Sequence, residues 1–413
     1  MKQGWEIKKL GEVCETGSGG TPLKAHKDYY EGGTIPWLMS GEVSQGEVFE
    51  AKNFITEKGL NNSSAKLFPI NTVLVAMYGA TAGQVGILKF EACTNQAVCG
   101  ILPNDKTIPE YLFYCFLSKK EELVAQAVGG AQPNISQIKI RNTKIPIPPL
   151  PEQQRIVAIL DEAFAAIDKA KANAEQNLKN AKELFESYLQ GVFENGKEKW
   201  EEKLLDEVCE FRNGADHERH IDEDGKYILV NSKFISADGE KFKRTNSALA
   251  PLYVNDIAFV MSDVPNGKAL AKCFLVDEND TYTLNQRIGA IKPIAFVPEF
   301  LVYQLNRNKY LLSFNNGENQ TILRKGDILK CPLWVPAKED QQAIVRQLDA
   351  LRAETQKLEA VYQKKVADLE ELKKSILQKA FAGELRSPEG AEYTNDVATP
   401  IAKKKTITSP ERA

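Results

Sequence analysis

Apolar and small residues recur on a heptad frame through Pro151–Phe193, a stretch with no Gly or Pro between Glu152 and Gln190. Ile156, Ala163, Ala170 and Leu184 fall in one column, and Leu160, Ile167, Ala174, Ala181 and Tyr188 in another. Two columns three and four residues apart predict one long helix with a seam that needs a partner helix. Residues 339–383 supply it. Gln341-Gln342, Ile344-Val345 and Leu348-Asp349 repeat Gln153-Gln154, Ile156-Val157 and Leu160-Asp161 at a constant offset of 188 (344 − 156). The same frame continues through Leu351, Leu358, Leu372 and Ile376. The predicted seam is therefore Ile156, Leu160, Ile167 and Leu184 against Ile344, Leu348, Leu351, Leu358, Leu372 and Ile376. Phe164, Leu178, Phe185, Leu189 and Val192 leave this seam. They are expected to meet either a partner protein or the flanking globular parts.

The rest of the chain repeats as well. Trp5-Glu6, Leu10 and Glu12-Val13-Cys14-Glu15 return as Trp200-Glu201, Leu205 and Glu207-Val208-Cys209-Glu210. Asn71–Met77 matches Asn255–Met261, Asn95-Gln96 matches Asn285-Gln286, and Ile145–Pro148 matches Leu333–Pro336. The order is kept, so the chain reads as two copies of one unit, each a globular part followed by a long helix. Strand-like runs lie at Thr72–Met77, Val85–Phe90, Ala97–Leu102, Tyr227–Val230, Ile257–Met261 and Ile288–Ile291, bounded by turn residues. A helix opening on proline is expected at Pro109–Ser118 and again at Pro298–Asn306. Gly383 is placed to stop the second long helix, and Pro388 to prevent its continuation. The fold class expected is α+β: two mixed α/β domains separated by an antiparallel pair of long coiled-coil helices in a pseudo-twofold repeat. Its divisions are 1–150, 151–195, 196–338 and 339–386, with 387–413 a polar tail expected to be disordered. A helix of about 37 residues would run roughly 55 Å at about 1.5 Å per residue.

Composition narrows the picture. The chain has 413 residues, 43% apolar and 26% charged, an ordinary globular balance. Its N-terminus lacks an apolar signal segment, and no run is long and apolar enough to span a membrane. Seven scattered cysteines without a CxxC pair read as reduced thiols of a cytoplasmic protein. A net charge of −3 counts against a free-standing nucleic-acid binder but leaves room for local basic loops. Gly79-Ala80-Thr81-Ala82-Gly83 lacks the Lys and Ser/Thr of a phosphate cradle. His217-Glu218-Arg219-His220 lacks the further ligands of a metal site.

Two related heads held apart in opposite orientation suit a DNA site with two half-sites, and their divergent loops suit a split, asymmetric one. Here the sequence resembles a known family, the specificity (S) subunit of type I restriction–modification systems. The resemblance covers nearly the whole chain and rests on the tandem repeat, Trp5–Val13, Gly19–Pro22 and, most specifically, Ile145–Val157. The second copy departs from it, with Asp206 in place of Gly11, no Gly-Gly-Thr-Pro, and Ala337–Asp340 in place of Pro149–Glu152.

The resemblance implies target-recognition domains at 1–150 and 196–338, spacer helices between and after them, and no chemistry in the chain itself. The implied partners are double-stranded DNA and two methyltransferase (M) subunits, with a restriction (R) subunit left open. S-adenosylmethionine, ATP and Mg would be bound by those partners only. The absence of Asn-Pro-Pro-Tyr or Asp-Pro-Pro-Tyr and of a P-loop agrees with a non-catalytic role. The competing reading is a coiled-coil protein-interaction scaffold that does not touch DNA.

Donors and acceptors for phosphates and base edges are expected on loops. In the first domain these are Ser18, Gly19, Gly20, Thr21, Lys24 and Lys27, then Tyr78, Thr81 and Gln84, then Gln132 and Asn134. In the second they are Arg212, Asn213 and His217, then Ser262, Asn266 and Lys268, then Gln320, Arg324 and Lys325. Asn95-Gln96 and Asn285-Gln286 recur beside strands and are expected to brace the fold.

Overall fold

The computed structural model describes residues 4–126, 134–264, 267–315 and 317–385. Two compact units divide it: Met1–Asn173 with Lys365–Ala413, and Ala174–Lys364. The predicted tail lies outside the described residues, as do Gln132 and Asn266.

In the first unit a five-stranded sheet has the order Thr16–Ser18, Val98–Ile101, Val73–Ala76, Val85–Leu88 and Gly46–Val48. The three middle strands are buried on both faces, as their unbroken apolar runs require. A second sheet orders Phe54–Ile55, Ile35–Leu38, Ala92–Thr94 and Leu67–Phe68. Glu6–Lys9 pairs antiparallel with Lys144–Ile147, tying the start of the unit to the strand that leads into the central helix.

The second unit repeats this plan. Cys209–Asn213, Ile288–Pro293, Ile257–Val260 and Cys273–Leu275 form its main sheet, and Glu201–Leu204 pairs with Pro332–Val335. The parallel pairing of Trp37 with Cys93 returns as Leu229 with Thr283. The copies differ at sheet edges: Gly46–Val48 extends the first main sheet, whereas Ser262–Asp263 and Thr321–Ile322 form an extra ribbon in the second. The expected strands all appear: four are trimmed by a residue or two at one or both ends, Tyr227–Val230 keeps its bounds, and Ile288–Pro293 runs two residues further. Strands carrying prolines, Ile35–Leu38, Lys144–Ile147 and Pro332–Val335, complete the sheets.

Among the described residues the helices of eight residues or more are Pro109–Ser118, Pro298–Leu305, a central helix Leu150–Gly196 and a distal helix Lys338–Ala382, with Gly383 at positive φ just beyond. Within the first unit the central and distal helices run antiparallel. Lys171 pairs with Glu370 at 2.6 Å, Lys373 with Asp168 at 2.9 Å, and Arg155 reaches the Leu385 carbonyl at 3.4 Å. Within the second unit the direction is the same: Tyr188 donates to Gln347 and Phe185 lies under Arg352.

The repeated Gln of each long helix has a structural job. Gln153 and Gln341 are buried. Gln153 Oε1 accepts from the Ile108 amide at 3.0 Å, while Nε2 donates to the carbonyls of Lys106 and Pro148, both at 2.9 Å. Gln341 does the same with the Val297 amide at 2.7 Å and the carbonyls of Ala295 and Pro336 at 3.2 and 3.0 Å. Each amide thus pins the long helix to the chain entering the short Pro-started helix. A second repeated bond follows: Tyr114 donates to Asp161, and Tyr303 to Asp349. Burial, then the adjacent carboxylate, pushes both phenols above their ordinary range.

The seam is narrower than the heptads imply. Ile156, Leu160, Ile167 and Leu348 are buried and Ile344, Leu351 and Ile376 half-buried, but Leu184, Leu358 and Leu372 are 50%, 41% and 46% exposed. These three are not seam residues. Phe164 and Phe185, expected off the seam, are buried against Tyr114 and Tyr303, with ring centroids 5.4 and 6.1 Å apart. The short helix of each copy is the third partner that covers them.

Burial also sets the thiol chemistry. It pushes Cys93 up to about 11, and Cys99, Cys115, Cys209 and Cys331 up to about 12. Thiolates are the reactive form. These five cysteines are expected to resist Ellman's reagent at pH 8 in the native protein and to react once it is denatured. Fast native labelling at any of them would contradict this burial.

Candidate nucleic-acid interface

Backbone bonds bring the first unit's polar loops to one edge. The amides of Gly19 and Gly20 donate to the carbonyls of Val98 and Thr94 at 3.1 and 2.8 Å. Met77 donates to Ala97 at 2.7 Å and receives from Ile135 at 2.8 Å, and Tyr78 bridges Asn134. Gly19 fits because an added Cβ would sit 2.1 Å from Thr94 Oγ1. The side chains gathered there are Ser18, Thr21, Tyr78 and Asn134, together with Gln96 and Gln137, whose signal the loops alone did not give. Gln137 accepts from Ser18 Oγ at 2.8 Å and donates to Thr16 Oγ1 at 2.9 Å, and Thr21 donates to Gln96. Gln96 is exposed and Asn95 buried, so of that repeated pair only Asn95 braces the fold. Thr81 and Gln84 stay in the adjoining turn, where Thr81 Oγ1 donates to the Tyr78 carbonyl at 3.2 Å. Lys27 is exposed elsewhere, and Lys24 lines an open pocket of about 670 Å³ with Tyr30, Trp37, Lys52 and Phe54.

The second unit builds the equivalent edge with the same bonds. Gly214 and Ala215 donate to Ile288 and Leu284, both at 3.0 Å. Met261 donates to Arg287 at 3.2 Å and receives from Leu323 at 2.8 Å. An added Cβ on Gly214 would lie 2.0 Å from the Asn285 carbonyl, so the glycine persists although the surrounding motif does not. Asn213, Gln320, Arg324 and Lys325 are exposed on this edge, joined by Gln286 and Arg287. Gln320 donates to Ser262 at 3.0 Å, and Lys325 lies 6.0 Å from the Phe211 ring centre. Lys268 is exposed.

Five of the expected contact residues are instead committed within the fold. Gly19 and Gly20 are buried and commit their amides to the sheet. His217 is buried: its Nδ1 faces the Ala215 carbonyl at 2.9 Å, and its Nε2 lies 3.3 Å from the Leu249 amide and 3.1 Å from Thr283 Oγ1. Arg212 is spent on the buried Asp256 and the Pro251 carbonyl, beside the Tyr253 ring. Ser262 is likewise buried beneath Gln320. Among the described residues no cluster of His, Cys, Asp and Glu could hold a metal, and no helix is long and apolar enough to cross a membrane.

The family model described as "Type I restriction modification DNA specificity domain" matches residues 2–179 and again 197–367, one match to each copy of the repeat. The chain belongs to this specificity family. It is 23% identical over 415 residues to the type I restriction enzyme MjaVIII specificity subunit of Methanocaldococcus jannaschii, covering 94% of each chain. It is 28% identical over 193 residues to the EcoR124I/EcoR124II specificity subunit of Escherichia coli, 46% of this chain, and spans about half, 48%, of that relative. A solved chain from work on complex assembly and conformational transition of a type I R-M system shares the fold. Its TM-score is 0.79 at 21% identity, over 93% of this chain and 99% of that one. Within the specificity family's repeat, the matching framework bonds at Gly19/Gly214 and Met77/Met261 identify which side chains are equivalent. The edges they support differ in chemistry, uncharged in the first copy and cationic in the second.

Proposed function

We propose that the chain is the non-catalytic DNA-recognition subunit of a type I restriction–modification complex, each unit reading one half of a split, asymmetric target. The observation that carries this is one bonding framework presenting two different sets of side chains. Phosphate contacts position a protein on DNA, and base contacts specify; a duplicated scaffold with divergent edges suits two different half-sites. Methyltransferase subunits dock on the helices, where Leu184, Tyr188, Leu358, Val361 and Leu372 present apolar surface to solvent. Those subunits, and a restriction subunit where one is present, supply S-adenosylmethionine, ATP and Mg chemistry in the cytoplasm.

Single-molecule sequencing of host DNA with and without this gene tests the reading. Loss of methyladenine at one bipartite motif is the expected result. Unchanged methylation in a host that carries the cognate methyltransferase would move the scaffold reading ahead.

A further inference from the structure

Resting on that reading, we infer that Arg287 and Arg324 are specificity-determining residues that each read a guanine in the half-site of the second unit. Arg287 ends the turn before the strand Ile288–Pro293, and Arg324 lies in the loop after Thr321–Ile322; both segments flank Met261. The Met261 amide donates to the Arg287 carbonyl, and the Met261 carbonyl accepts from Leu323, the neighbour of Arg324. In the first unit the same bonds run from Met77 to Ala97 and from Ile135 to Met77, so Ala97 and Ser136 are the equivalent residues. Ala97 is buried, whereas Arg287 is exposed.

Ser136 spends its hydroxyl on capping the helix Gln137–Asn142, accepting from the Lys139 amide at 3.3 Å. Arg324 holds the same N-cap position before Lys325–Leu329 and makes no side-chain cap bond. Arginine is a poor N-cap, and a residue that breaks a local rule on an exposed edge points to function. Among the described residues neither arginine has an ion pair.

The choice between phosphate and base follows from the repeat. A phosphate grip serves any sequence, so both copies could share it. A cation present in one copy only, at a framework position common to both, distinguishes the halves. The guanidinium fork matches guanine O6 and N7 bidentately.

The test uses the complete complex with its methyltransferase, mapped genome-wide for methyladenine. The wild-type motif is expected to contain guanine at two or more positions of one half. Arg287→Gln and Arg324→Gln are each expected to relax one of those positions, in the same half, by about tenfold or more. The other half stays strictly read and serves as the folding control. Arg324→Lys keeps charge without the fork, and is expected to relax the same base as Arg324→Gln. The inference is overturned if neither half contains guanine. It is also overturned if the variants lower methylation at all sites alike with the motif intact, as phosphate contacts would, or if they leave it unchanged. A wild-type complex that methylates no split motif would instead overturn the underlying recognition reading.

Discussion

Replacing Gln341 with Leu is expected to destabilise the second unit by about 3 kcal/mol or more, because it strands one amide and two carbonyls in a site closed to water. The three groups are the Val297 amide and the carbonyls of Ala295 and Pro336, all held by this one side chain. Leucine matches glutamine in bulk but can neither accept from the first nor donate to the others. Gln153→Leu should cost the first unit a similar amount through Ile108, Lys106 and Pro148. With no shared partner, the two losses should add. Gln154 and Gln342 are the internal control. They occupy the next position of the same Gln-Gln signature and are exposed, so Gln154→Leu and Gln342→Leu should stay within about 0.5 kcal/mol. Urea unfolding of the four variants decides it. Equal effects for the first and second glutamine would mean the signature does something other than pin the helix.

That contrast shows what the sequence carries and where it falls silent. The Gln-Gln repeat, the helix bounds and the buried strands were legible because each leaves a local signal: an offset, an unbroken frame, an apolar run. The role of Gln153 was not, because it depends on carbonyls as far away as Lys106 in the chain. The strands Ile35–Leu38 and Pro332–Val335 were obscured by their prolines. They pair through residues that keep their amides and are fixed by neighbours rather than by propensity. At the candidate interface, a polar loop residue looks the same in sequence whether it faces water or the interior. Arg212 and His217 read as donors, yet the fold closes Asp256 around one and Ala215, Leu249 and Thr283 around the other. Arg287 was overlooked for the opposite reason. It ends a short turn, directly before the buried strand that opens at Ile288, and only the match of Met261 to Met77 shows it on the edge.

Leu160→Asp is expected to cost about 4 kcal/mol or more and to unfold the first unit's helix pair, while Leu184→Asp should cost about 0.5 kcal/mol. Both leucines belong to one heptad frame, and a two-stranded supercoil would penalise both alike. Burial keeps one column of that frame and loses the other. Leu160, Ile167, Ala174 and Ala181 stay buried at strict heptad spacing, joined by Ile156 and Phe185. The column that starts at Ile156 is lost by Leu184, 28 residues on (184 − 156), which is half exposed. Where the line meets a short helix it widens, through Phe164 on Tyr114 and Phe185 on Tyr303. Between them it narrows to alanines, which bury little area each. Leu160 packs among Ile156, Phe164, Leu377 and Ala380, so a carboxylate there has no partner and no water. Leu184 already faces solvent, where a carboxylate costs the fold little. If that exposed face is where a methyltransferase subunit docks, Leu184→Asp should leave the melting curve of the free chain nearly unchanged and still weaken assembly with that subunit. Comparable destabilisation by the two substitutions would restore the supercoil and remove the leucine from any docking surface.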